Sequence, residues 1–95
     1  MNYKTYMTSQ FKKDLKLAKK PGYSIEHIQS IISLLANGEK LPAKYKDHAL
    51  TGKYSGYREC HIEPDWLLVY EIHEEELILI ITRTGTHADI FFLIF

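Results

Sequence analysis

Apolar residues recur along this chain first at helical spacing and then at every second position, and the change between the two periods divides the sequence. Asn2 to Met7 alternates as a short first strand. Ser9 is placed to cap a helix over about 10–19, with Phe11, Leu15 and Ala18 on one face and lysines opposite. Pro21-Gly22 breaks that helix. Ser24 starts a second one, in which Ile25, Ile28, Ile32 and Leu35 fall at i, i+3, i+7 and i+10, and Asn37-Gly38 ends it. Two helices joined by a tight turn form an αα-hairpin.

From about 39 to 53 the periodicity is lost, and a loop of that length in a small domain is usually functional or disordered. Alternation then predicts strands over about 55–62, 66–72 and 77–84, with turns at Glu63-Pro64-Asp65 and His73-Glu74-Glu75-Glu76. The order β-α-α-β-β-β describes an α+β fold, an N-terminal strand and αα-hairpin followed by a mainly antiparallel sheet, with the helices on one sheet face. A hairpin centred between Pro64 and Asp65 sets His61 opposite Leu68. One centred between Glu74 and Glu75 sets Trp66 opposite Arg83 and Leu68 opposite Ile81. One face then carries Tyr57, Glu59, His61, Trp66, Leu68, Tyr70, Ile81 and Arg83, and is expected to be the open, working face. The other carries Arg58, Cys60, Ile62, Leu67, Val69, Ile78 and Ile80, and is expected to pack on the helices. A one-residue slip would reverse a strand.

Ninety-five residues bound this to a single domain over 1–95, and an apolar content of 45% argues against disorder. No run approaches the ~20 apolar residues of a membrane span. The start lacks an apolar signal segment and Cys60 is a lone cysteine, so a cytoplasmic protein without a disulfide is expected. The zero net charge hides an asymmetry: residues 1–58 hold eleven of the twelve basic side chains and four of the twelve acids, so the two halves carry +7 and −7. A basic half suits RNA phosphates or an acidic protein segment, and equally a solvated pair of helix faces.

His48, His61 and His87 lie near strand ends or loops, Asp65 follows His61 by four residues, and Arg83 ends a strand shortly before His87. Such a set suits RNA cleavage without a metal or other cofactor. The ribose 2′-OH is the nucleophile, so the protein must supply a base, an acid and a cation for the charge on the phosphorane. Histidine serves either proton role and arginine offers a planar cationic fork. Each residue also has an ordinary reading. A lone histidine is usually a surface residue, Asp65 is a turn residue, Arg83 can balance Glu71 or Glu74, and Cys60 is a small buried hydrophobe. A metal site built from His48, His61, His87 and Asp65 is the other sharp reading, although the spacings match no ligand pattern. His27 and His73 have no partner in this reading and receive no role.

The segments Arg58-Glu59-Cys60-His61-Ile62-Glu63-Pro64-Asp65-Trp66-Leu67-Leu68-Val69-Tyr70 and Arg83-Thr84-Gly85-Thr86-His87-Ala88-Asp89-Ile90-Phe91, with Asp47-His48-Ala49-Leu50-Thr51-Gly52, resemble the YafQ-type branch of the RelE/ParE toxin superfamily. The likeness runs from the first strand to Phe91. It implies a toxin of a type II toxin–antitoxin system that cleaves translated mRNA in the ribosomal A site and inhibits translation. It also implies partners: the ribosome, its mRNA and a cognate antitoxin, through which alone DNA would be met. By the same resemblance His48, His61, Asp65, His87 and Phe91 occupy active-site positions. His87 is then expected as the general acid, His48 or His61 as the base, and Asp65 as a group that orients an imidazole or receives a proton. Arg83 would contact phosphate and Phe91 would stack on a base. If Thr86 caps a helical turn, His87 and Phe91 share a face. Two features depart from the family pattern, the apolar tail Phe92-Leu93-Ile94-Phe95 and the neutral overall charge. The rival classes are a fold of this kind that only occludes a partner, and a metal-binding regulator.

Overall fold

The computed structural model describes residues 2–18 and 23–91. Strand β1 (Lys4–Met7) leads into helix α1 (Ser9–Leu17), and α2 (Ile25–Ala36) follows. The expected Pro21-Gly22 break and the tail 92–95 lie outside the described residues. Beyond α2 come β2 (His48–Ala49), β3 (Arg58–Glu63), β4 (Trp66–His73), β5 (Ile78–Gly85) and α3 (His87–Phe91). The residue that caps α1 is Thr8, one earlier than expected: its hydroxyl accepts from the Phe11 amide at 2.9 Å and donates to the Thr82 carbonyl at 2.7 Å, tying the helix start to the sheet. Ser24 caps α2 as expected, and Gly38 takes the left-handed conformation past its end (φ 75°).

The five strands run in the order β1-β5-β4-β3-β2, with β1 parallel to β5 and the other pairs antiparallel. The stretch expected as a loop thus contains an edge strand, β2, between two short 3-10 turns, Ala43–Tyr45 and Gly52–Tyr54. The first hairpin begins on its expected centre, with Glu63 opposite Trp66, but a bulge at Ile62 then sets His61 opposite Leu67 and Cys60 opposite Leu68. That single extra residue reverses β4 relative to β3. The second hairpin is centred between Glu75 and Glu76, not between Glu74 and Glu75 as expected: His73 lies opposite Ile78, and Tyr70, not Leu68, lies opposite Ile81. A further bulge at Thr82 sets Val69, not Trp66, opposite Arg83.

The expected faces are therefore corrected for β4 and β5. Trp66, Leu68, Tyr70, Leu79 and Ile81 join Cys60 and Ile62 under the helices, in a core with Phe11, Ile28, Ile31 and Leu35. Leu67 and Val69 instead join Tyr57, Glu59 and His61 on the opposite face, where they pack with Ile90 of α3, Leu50 and Phe91. The fold places α1 and α2 on one side of the sheet and the single turn of α3 on the other.

Candidate active site

Helix α3 is short enough to need fixing at its start, and it has a reciprocal cap. The Thr86 hydroxyl accepts from the Asp89 amide at 3.2 Å, and the Asp89 carboxylate accepts from the Thr86 amide at 3.0 Å. Ile90, 2% exposed, anchors the turn on Leu67 and Val69. His87 and Phe91, one turn apart, have ring centroids 4.6 Å from each other at 42°. Phe91 also meets the edge of Tyr54 at 4.9 Å. His87 itself is exposed.

The same sheet face carries His48, Glu59 and His61. His48 and Glu59 are cross-strand partners, and His48 Nε2 lies 3.2 Å from Glu59 Oε2. His48 Nδ1 donates to the Lys46 carbonyl at 2.7 Å. Glu59 is 5% exposed, and its Oε1 has no hydrogen-bond partner among the described residues. His61 Nδ1 lies 3.3 Å from the Pro64 carbonyl, across the turn that exposes Asp65. The Asp65 carbonyl accepts from the Tyr23 hydroxyl at 3.2 Å, and Tyr23 stacks on buried Trp66 with centroids 4.3 Å apart. Burial first, and then the hydrogen bond and charge of Asp65, push the Tyr23 phenol up to about 12.

Asp47 holds the loop that carries His48. Its carboxylate accepts from the Tyr70 hydroxyl, and from Arg58 Nη2 at 3.1 Å. Burial, reinforced by this bond to Asp47, raises the Tyr70 phenol far above its ordinary value. Burial works against the Arg58 charge, yet the bonds and charges of Asp47 and Tyr70 leave its guanidinium above the ordinary value. Neither Glu71 nor Glu74 balances Arg83. Its Nε and Nη2 donate to Asp14 of α1 at 2.7 and 3.2 Å, and the Thr84 amide donates to the same carboxylate at 3.2 Å. A cleft of about 640 Å³ between α1 and the start of α3 has Asp14, Arg83, Thr86 and Asp89 in its lining.

His48, His61 and the His87–Phe91 turn therefore share one sheet face, Asp65 sits in the turn beside His61, and Arg83 is held against α1. Glu59, Asp47 and Asp14 carry no role in the sequence pattern and acquire one only in the fold. Two further assignments are corrected. His27 has partners in Glu63 (Nδ1–Oε2 2.8 Å) and the Tyr45 hydroxyl (3.2 Å), and His73 has one in Glu71 (3.3 Å). Cys60 lies in the core, where burial, then the charges of Asp47 and Glu59, push its thiol up to about 12. Among the described residues, no three His, Cys, Asp or Glu side chains gather closely enough to hold a metal ion. No helix among them is long and apolar enough to cross a membrane.

Residues 3–92 match the family described as the bacterial toxin of type II toxin–antitoxin systems, YafQ. The mRNA interferase toxin YafQ of Escherichia coli K12 is 44% identical over 85 residues, which cover 88% of this chain and 90% of that protein. The crystal structure of the E. coli DinJ–YafQ complex is similar, with a TM-score of 0.82 and 41% identity over 94% of this chain and 98% of that one. So is a metal-bound toxin from Helicobacter pylori, with a TM-score of 0.84 and 38% identity over 96% of this chain and all of that one.

Proposed function

The chain belongs to the YafQ family of bacterial toxins of type II toxin–antitoxin systems, and from that membership we propose that it is an endoribonuclease that cuts mRNA on the ribosome and is silenced by a cognate antitoxin. The observation that carries this reading is the shared sheet face of His61 and the His87–Phe91 turn. That face presents two imidazoles and an aromatic ring, the groups this reading needs as base, acid and stacking platform.

In the proposed reaction the 2′ oxygen attacks the adjacent phosphorus and the bond to the 5′ oxygen breaks. The products are a 2′,3′-cyclic phosphate and a 5′-hydroxyl. One proton leaves the 2′ oxygen and one reaches the 5′ oxygen. Of the two candidate bases, His61 is the better placed. Both ring nitrogens of His48 face acceptors, the Lys46 carbonyl and the Glu59 carboxylate, so neither offers a lone pair without leaving a partner. His61 engages a carbonyl with Nδ1, and no hydrogen bond to its Nε2 is formed among the described residues. His48 then orients substrate from the sheet edge, His87 protonates the leaving oxygen, and Phe91 stacks on a base. Asp65 orients an imidazole beside the turn. Arg83 serves the phosphate from its bidentate hold on Asp14.

The proposed chemistry is metal-independent, a reading supported by the lack of any three His, Cys, Asp or Glu side chains gathered at one point among the described residues. The test is primer extension on an mRNA in a reconstituted translation system, using protein stripped with chelator and then desalted. Discrete cuts that persist after stripping are expected. Cuts lost on stripping and restored by a stoichiometric metal ion would overturn the metal-independent scheme. Ribosome binding with every message intact would favour a module that only occludes its partner.

A further inference from the structure

Beside His61 the chain forms a cleft of about 330 Å³, lined by His27, Lys44, Tyr45, Lys46, His61 and Glu63 among others. Its walls come from α2, from the turn before β2 and from the end of β3. The formal charges among these residues are two ammonium groups and one carboxylate. That carboxylate is already engaged, since Glu63 Oε2 lies 2.8 Å from His27 Nδ1, and His27 Nε2 reaches the Tyr45 hydroxyl at 3.2 Å. The Lys44 ammonium sits over the Tyr45 ring, 5.1 Å from its centroid, so its stem is supported while its charge remains at the surface.

Lys46 ties the cleft to the His48 edge of the sheet. It adopts a left-handed conformation (φ 51°, ψ 41°) that a side chain with a Cβ disfavours. Its amide donates to Ala43 at 3.0 Å and its carbonyl accepts from His48 at 2.7 Å, and these two bonds impose the conformation. The residue that lines the cleft is thus the same one that holds His48 on the sheet edge. The cleft and the candidate active site share His61 and are joined through Lys46.

We propose that this cleft is a subsite for an mRNA backbone phosphate next to the scissile one, with Lys44 and Lys46 as its cations. The proposal rests on the ribonuclease reading. A strand whose scissile phosphate lies at His61 must continue past the residues beside His61, and the cations there lie in this cleft.

The probe is a short single-stranded RNA carrying 2′-O-methyl groups, which binds but cannot react. Its affinity for the isolated protein is measured by fluorescence anisotropy across a salt series, for wild type, Lys44→Ala, Lys44→Glu, Lys46→Asn (a residue that tolerates the left-handed conformation) and Lys13→Ala on α1. Thermal melting of each variant confirms the fold. The cleft substitutions are expected to weaken binding by roughly 3–10-fold and to reduce the salt slope by about 0.7 for each phosphate no longer neutralised. Lys44→Glu should have the larger effect and Lys13→Ala none. In mRNA cleavage, Lys44→Ala should raise KM and leave kcat nearly unchanged. Unchanged affinity and slope for both cleft lysines would overturn the proposal. So would a loss confined to vacant ribosomes with the free RNA unaffected, which would assign the lysines to ribosomal RNA. Wild-type protein that binds RNA through these lysines yet cuts no message would instead overturn the ribonuclease reading and leave the RNA contact standing.

Discussion

Replacing Tyr70 by Phe removes one oxygen from a fully buried ring and tests how the His48 loop is held. The hydroxyl donates to the Asp47 carboxylate, so the broken bond is charge-assisted, a class contributing about 1.5–3 kcal/mol. Asp47 keeps Arg58 and a side chain 25% exposed, so solvent can take up part of the loss. The expected cost is therefore toward the lower bound, about 1.5 kcal/mol. For a domain of this size that lowers Tm by roughly 6–12 °C. Asp47 precedes His48, and β2 is only two residues long, so the loosened loop should also misplace the imidazole. Cleavage should slow by several-fold, up to about 10²-fold if the displacement approaches 1 Å. Differential scanning calorimetry and single-turnover mRNA cleavage measure the two effects on one preparation. A Tyr70→Phe protein that melts within about 2 °C of wild type would show that this bond does not anchor the loop.

Asp14→Ala should be more damaging, because it leaves Arg83, 20% exposed, without its carboxylate and the Thr84 amide without its acceptor. A loss of about 3 kcal/mol is expected, the lower end for breaking a buried pair since part of Arg83 stays hydrated, and an unmoved urea midpoint would refute it. The alkaline limb of stability follows from Tyr70 and Cys60, both titrating above their ordinary values in the fold. The folded state therefore holds protons that the unfolded state releases. Their contribution is full below the unfolded values, near pH 9–10, and declines above them by about 1.4 kcal/mol per pH unit for each group, for Cys60 until about 12. Cys60→Ala should flatten this decline between pH 9 and 11, and a slope identical to wild type would contradict the buried-thiol assignment.

The parts of the fold legible in sequence are those set by local rules. The α2 cap at Ser24, the stop at Asn37-Gly38 and the amphipathic spacing of Ile28 and Leu35 need only near neighbours. The register of the sheet did not yield, because it depends on two bulges and on a second turn centred one residue later than expected. Nothing in the alternation of Cys60-His61-Ile62-Glu63 marks Ile62 as the extra residue, and its insertion moves Trp66, Leu68 and Tyr70 from the expected working face into the core. On β3 the expected division of faces holds, since Glu59 and His61 lie before the bulge, on the side away from α1 and α2. The α3 turn was legible because Thr86, His87 and Phe91 are close in sequence and the cap is local. His48–Glu59, Asp47–Tyr70, Asp14–Arg83 and His27–Glu63 were not, because each joins residues 11 to 69 positions apart through the tertiary fold.

In the proposed reaction His87 gives a proton to the departing 5′ oxygen. It is exposed on a capped turn, so His87→Ala should change stability by no more than about 0.5 kcal/mol. Its removal should slow cleavage of ordinary mRNA by roughly 10²–10⁴-fold with binding nearly intact. A ribosome-bound mRNA in which sulfur replaces the bridging 5′ oxygen at the cleavage site isolates the step, because a thiolate departs without a proton. Single-turnover cleavage of this thio-substituted message by His87→Ala is expected to approach the wild-type rate. A stably folded His87→Ala protein that is equally slow on the oxygen and sulfur messages, or as fast as wild type on both, would contradict this role for His87.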